Sequence, residues 1–230
     1  MAVPAGTERL NEPKAAAEVA KVAALEDPAK ELLRPEYTPR EFVEVLVKAG
    51  HMADAVRFFA HALPRREAIW WAIQCVKSVP ALAAGEKPTA ALAAAERWVN
   101  TPTDENRRTA HTAAEAAALD TPAGCAAMAV FLSEGSLAPA ALQVVPPPPH
   151  VSQVMVSVAV VLSAVKLEPE HADEKYKRFL SLGNDVAAGT NRWAEQRPMS
   201  PTAPPGGFTP PRPTGRPGVP PPPPPPKGWY

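Results

Sequence analysis

Apolar residues in the first three-quarters of the chain recur at three- and four-residue spacing, the signature of amphipathic helices, and apolar/polar alternation of the strand type is nearly absent. The stretch TPREFVEVLVKAG sets its own limits. Thr38 is an N-cap, Pro39 takes the first helical position, Glu41 closes a capping box and Gly50 stops the helix. The pattern predicts further helices over 51–63, over 64–78 ahead of Pro80, and over 88–99. Thr101-Pro102 with Asp104, and Thr121-Pro122, each set a capping hydroxyl before a proline that needs no amide partner. Helices are therefore expected near 102–118 and over 122–133, the second ended by Gly135.

Residues 151–167, VSQVMVSVAVVLSAVKL, admit two periods. Val154, Val156, Val158 and Val160 alternate as in a strand, whereas Val154, Val158, Val161, Leu162 and Val165 share a helical face. Length and the lack of flanking strands favour the helix. About 20 apolar residues are needed to cross a bilayer, and Ser152, Gln153, Ser157 and Ser163 interrupt this shorter run, so no membrane span is expected. A charged helix follows Pro169, with Ala172, Tyr176, Phe179 and Leu180 as its packing stripe.

The resulting fold class is all-α: antiparallel helical hairpins stacked as a bundle or short solenoid, with a disordered proline-rich C-terminal tail. Short connections favour antiparallel neighbours, and no fixed-spacing repeat identifies a named solenoid. Three regions are expected: a partly helical N-terminal segment over 1–29, a helical domain over 30–195 with a proline loop near 136–149, and a tail over 196–230. Alanine, the strongest helix former, makes up nearly a fifth of the chain.

Composition changes this picture mainly at the C-terminus. Of 31 prolines, 15 fall between Pro198 and Pro226, and the tail carries Arg197, Arg212, Arg216 and Lys227 with no acid. With 24 basic and 24 acidic residues overall, the tail is about +4 and the remainder about −4. A neutral total removes the basicity that duplex nucleic acid would require, and no nucleic-acid partner is expected. So proline-rich a tail cannot bury enough apolar surface to offset its ordering entropy, and polyproline II with coil is expected. Pro222, Pro225 and Lys227 fit the PxxPx(K/R) spacing of groove-binding ligands, and Trp229-Tyr230 form an aromatic terminus suited to docking.

Within the helical region the candidate interaction residues are Arg65, Arg66, Trp70 and Trp71, in LPRREAIWWAIQCV. Adjacent indoles on a helix point about 100° apart, so each meets a different surface. Either both lie in the core with an acceptor for each N–H, or one stays at the surface as an anchor with an arginine beside it. His51 and His61 lie about 15 Å apart along one helix and cannot share an ion; His111, His150 and His171 look isolated. Cys75 and Cys125 have no CxxC spacing and sit in apolar helices, which points to packing thiols in a reducing compartment, the cytoplasm. There is no GxSxG, no HExxH and no glycine-rich phosphate loop followed by lysine, so no catalytic, metal or cofactor residue is assigned.

The stretch LLRPEYTPREFVEVLVKAGHMADAVRFFAHALPRREAIWWAIQCV, with ERWVNTPTDENRR and TPAGCAAMAVFLSEGSLAP, resembles a family of uncharacterised bacterial proteins, a domain of unknown function, over about residues 30–183. The resemblance implies an accessory component of type VI-like secretion loci and transfers no catalytic residues. The expectation is a non-catalytic adaptor with protein partners of unknown identity. The alternatives are an enzyme assembled from scattered residues, or a carrier for a small apolar ligand.

Overall fold

A computed structural model describes residues 15–139 and 141–193, all within the unit Met1–Gln196. Among these residues there is no strand. Eleven helices follow one another: α1 Ala16–Ala20, α2 Asp27–Lys30, α3 Pro39–Lys48, α4 Met52–Ala62, α5 Arg65–Lys77, α6 Pro80–Ala83, α7 Glu86–Asn100, α8 Asp104–Ala117, α9 Pro122–Phe131, α10 Val151–Val165 and α11 Ala172–Ala187. A 3-10 turn, Pro169–His171, precedes the last. The expected tail, with Pro222, Pro225, Lys227, Trp229 and Tyr230, lies outside the described residues.

Helix limits follow local chemistry. Thr38 accepts from the amide of Glu41 while the Glu41 carboxylate takes the Thr38 amide at 2.8 Å, so both bonds of the capping box form. Thr121 caps α9 through the amide of Gly124 at 3.0 Å. The cap of α8 is Thr103 and not Thr101: Thr103 accepts from Asn106, while the Thr101 carbonyl takes the Asn106 side chain at 2.7 Å. Pro102 holds the residue before it away from helical geometry, and the helix begins one cap later. The helix expected over 88–99 begins earlier, at Glu86, behind Gly85 with φ +101°.

Consecutive helices pair as hairpins, α3 with α4, and α7 with α8 and then α9, while α10 lies against α9, α5 and α4. Every residue of α9 is buried, which its composition allows: PAGCAAMAVF is apolar all round and mostly small. Residues ahead of position 30 belong to the same core, since Ala16, Val19, Ala23, Leu25 and Ala29 are buried in it. On α11 the buried residues include Tyr176, Phe179 and Leu180.

One very close contact lies where α11 crosses α4 and α5. A methyl group on Gly183 would sit 2.5 Å from a ring carbon of Phe59 and 3.0 Å from Trp71 Nε1. Gly183→Ala should therefore cost about 1–3 kcal/mol, read as a lower midpoint in urea unfolding; an unchanged midpoint would show that the crossing can relax.

Candidate functional site

The residues singled out around Arg65 divide sharply once folded. Trp71 is fully buried, packs edge-on against Phe59 at 5.0 Å and donates its indole N–H to the Phe179 carbonyl at 2.7 Å. Trp70 is half-buried, donates to the Asn191 carbonyl at 3.0 Å and meets Trp193 edge-on at 6.3 Å. Both indoles thus have the acceptor that buried tryptophan requires. The Arg66 guanidinium bonds the Val99 and Asn100 carbonyls and lies 4.3 Å over the Trp193 ring. Arg192 pairs with buried Glu67 at 2.7 Å. Arg66 and Trp70 therefore bind α7 and the 191–193 segment to α5, and Trp71 binds α11 and α4 to it, a structural role. Arg65 differs: it is exposed, and it donates to the Ser133 carbonyl.

Arg65 opens onto a cleft of about 640 Å³ between α1, the α4–α5 corner and the start of α10, with His61, His150 and Gln153 in its walls. The rings of His61 and His150 stand 5.9 Å apart. The sequence reading left His150 isolated, and the fold overturns that across 89 positions, a juxtaposition no local spacing encodes. Burial, with His150 second, pulls His61 down to about 4. His61 Nδ1 and Gln153 Oε1 are buried without a hydrogen-bond partner.

The second unusual feature is α10. Its buried face carries Ser152, Val156, Ala159, Val160, Ser163 and Ala164, while Val154, Val158 and Val165 are 36–42% exposed with Val161 between them. On a 3.6-residue helix Val154, Val158, Val161 and Val165 form one stripe, so α10 turns part of its β-branched surface to water while burying hydroxyls beside Val156 and Val160. The hydroxyls are satisfied: Ser152 donates to the Ala129 carbonyl and Ser163 to the Ala159 carbonyl, both at 2.8 Å. Small side chains let α10 approach α9 closely. Three more exposed apolar residues, Leu142, Val144 and Val145, lie on the loop leading into α10. That loop is pinned: Leu137 donates to the Val145 carbonyl at 2.8 Å, and buried Arg107 holds the Phe131 and Ser136 carbonyls.

Burial raises the Cys75 thiol well above its ordinary value and Cys125 to about 11, so both stay protonated at neutral pH. Among the described residues no group of three or more His, Cys, Asp or Glu side chains could hold a metal ion, and no single helix is long and apolar enough to cross a membrane.

These features define an all-helical bundle with an outward apolar helix face and a histidine-lined cleft. The model of a family described as "Family of unknown function (DUF6931)" matches residues 42–187, well over half the chain, and the chain belongs to that family. The match runs from α3 to the end of α11 and includes His61, Arg65, His150 and the whole of α10. No curated protein and no solved structure matches the chain.

Two predictions follow from this geometry. Trp71→Ala should cost about 3–5 kcal/mol in urea unfolding, with Trp70→Ala costing measurably less because that indole is only half-buried; equal costs would contradict the placement. His61 binds its proton only near pH 4 when folded, against about 6.5 when unfolded, so its contribution to stability is complete above pH 6.5 and declines as pH falls toward 4. A histidine proton-resonance titration should give that low midpoint, and His61→Gln should flatten the slope of stability against pH across the same window. A titration midpoint near 6.5 would refute both.

Proposed function

We propose that the protein is a non-catalytic interaction adaptor whose docking surface is the outward face of α10. One observation carries this reading: exposed Val154, Val158 and Val165, with half-buried Val161 between them, form an apolar stripe on the solvent side of a well-packed helix. Covering each exposed valine would gain about 1 kcal/mol, a gain the isolated chain forgoes. Contiguous apolar surface of this kind marks interaction sites, and a helix stripe at i, i+4, i+7, i+11 suits a partner helix laid along it. The matching partner is a protein with an amphipathic helix.

The proline-rich residues 196–230 supply a second contact in this proposal. Pro222, Pro225 and Lys227 suit an aromatic groove and Trp229-Tyr230 a pocket, so one partner could be engaged at two points with a gain in avidity. The accessory role we assign in a bacterial secretion assembly rests on the resemblance of the helical stretch alone, and the cytoplasmic setting on the spacing of Cys75 and Cys125.

A photo-crosslinking residue placed at position 158, with one at position 174 on α11 as the control, tests the docking face in the native host. The expected result is an adduct with a second protein at 158 and not at 174, abolished by Val154→Ser with Val165→Ser at unchanged thermal midpoint. Adducts between two copies of the chain would replace the adaptor with a homodimer, and equal adducts at both positions would remove the docking face. Deleting residues 196–230 should leave the thermal midpoint nearly unchanged while lowering recovery of the same partner.

A further inference from the structure

The cleft beside Arg65 has the makings of a ligand site that packing alone does not account for. Its apolar wall comes from Val19 and Val22 on one side and Leu63, Pro64 and Pro149 on the other. The polar groups are concentrated around His61, Arg65, His150 and Gln153. A smaller recess of about 230 Å³, walled by the Pro146–Pro149 strap, shares Arg65, His150 and Gln153 with it. The larger volume lies in the range that small-molecule sites occupy, and a few polar groups set against an apolar wall is their usual composition.

Charge decides which class of molecule fits. Glu18, the one carboxylate in the wall of the larger cleft, is already engaged by Lys21 at 2.6 Å. Among the described residues no carboxylate pairs with Arg65, whose one described bond is to a neutral carbonyl. A guanidinium held through one terminal nitrogen, Nη1, keeps its Nε and Nη2 edge for carboxylate or phosphate oxygens. Helices α5 and α10 both begin at this cleft, at Arg65 and Val151, and neither has a side-chain cap, so their first turns add positive potential to that of the arginine.

We propose that this cleft binds a small amphiphilic anion, a molecule with an apolar body against Val19, Val22 and Leu63 and a single acidic group held by Arg65 between the two histidines. The acidic group is a carboxylate or a phosphate monoester, since both present the paired oxygens that the guanidinium edge accepts. An anion set beside His61 favours the imidazolium and offsets the burial that keeps the ring neutral, so binding takes up a proton and strengthens as pH falls. The titratable and charged groups that line the cleft with His61 are Glu18 on α1, Arg65 on α5 and His150 at the head of α10, with Glu134 at the adjoining recess. The proposal stands independently of the docking stripe, whose Val154 lies about 100° around α10 from Gln153.

Nuclear magnetic resonance of the full chain tests it, with hexanoate and hexyl phosphate as probes and hexanol as the uncharged control. The expected result is saturable movement of the His61 and His150 ring resonances with at least one of the two acids. The His61 midpoint should rise by one pH unit or more, and hexanol should have no such effect. Arg65→Gln should weaken binding at least tenfold and Arg65→Lys less, in variants whose thermal midpoints match the wild type. A response to hexanoate alone or to hexyl phosphate alone supports the site and names its acidic group. Silence of both histidines to both acids at 10 mM, or an equal response to hexanol, would overturn the proposal without touching the adaptor reading.

Discussion

The bundle depends on how closely small residues let its helices approach. Gly183 brings α11 against the ring of Phe59 and the indole of Trp71, and Trp71 then reaches across to the Phe179 carbonyl. One side chain thus ties α4, α5 and α11 together through an edge-on ring contact and a buried hydrogen bond. A second close approach lies at the turn into α9, where a methyl on Gly124 would fall 2.0 Å from the Ala118 carbonyl oxygen. Alanine-rich α9 continues the theme, buried at every position with α8 and α10 packed against it. Interiors this dense gain dispersion contacts but resist any added volume, which explains the mostly small α9 and the need for glycine where α11 crosses.

The same constraint accounts for the inversion of α10. A helix that must lie close to α9 can place serine and alanine at the contact, provided each hydroxyl finds a carbonyl, as Ser152 and Ser163 do. Val154, Val158 and Val165 are then left toward the outside, while Val156 and Val160 stay in the core. The usual reading of an amphipathic helix, apolar side inward, assumes that burial follows hydrophobicity residue by residue. Here steric approach decides which face is buried, and the apolar surface left over becomes the feature that sets this helix apart.

How far the fold was legible follows from this. Thr38, Glu41 and Gly50 act within one turn, and the helix they delimit is readable from sequence because the capping interactions are local. Thr101 and Thr103 compete for one cap, and the outcome turns on proline sterics, a subtler local effect. The helical period of 151–165 is readable, yet the buried face is not, because it is chosen by the small residues of α9 in another part of the chain. His150 meets His61 only through the way α10 is seated, and Arg107 reaches the Phe131 and Ser136 carbonyls from a helix whose sequence looks like an ordinary charged surface. The candidate site was legible only at Arg65; its other members are assembled by tertiary structure.

α10 joins the two proposals physically. Its N-cap His150 and first-turn Gln153 lie at the cleft, and its outer face carries the valine stripe over about the following three turns. A helix seated this tightly moves as a body if it moves at all, since sliding any part of it against α9 would separate Ser152 from the Ala129 carbonyl. An anion drawing His150 and Arg65 together acts on the very element that a partner would grip from outside. Thermodynamic linkage makes any such coupling reciprocal: to whatever extent ligand alters partner affinity, the partner alters ligand affinity by the same factor. Pro149 lines both recesses, and the Pro146–Pro149 strap leads directly into α10.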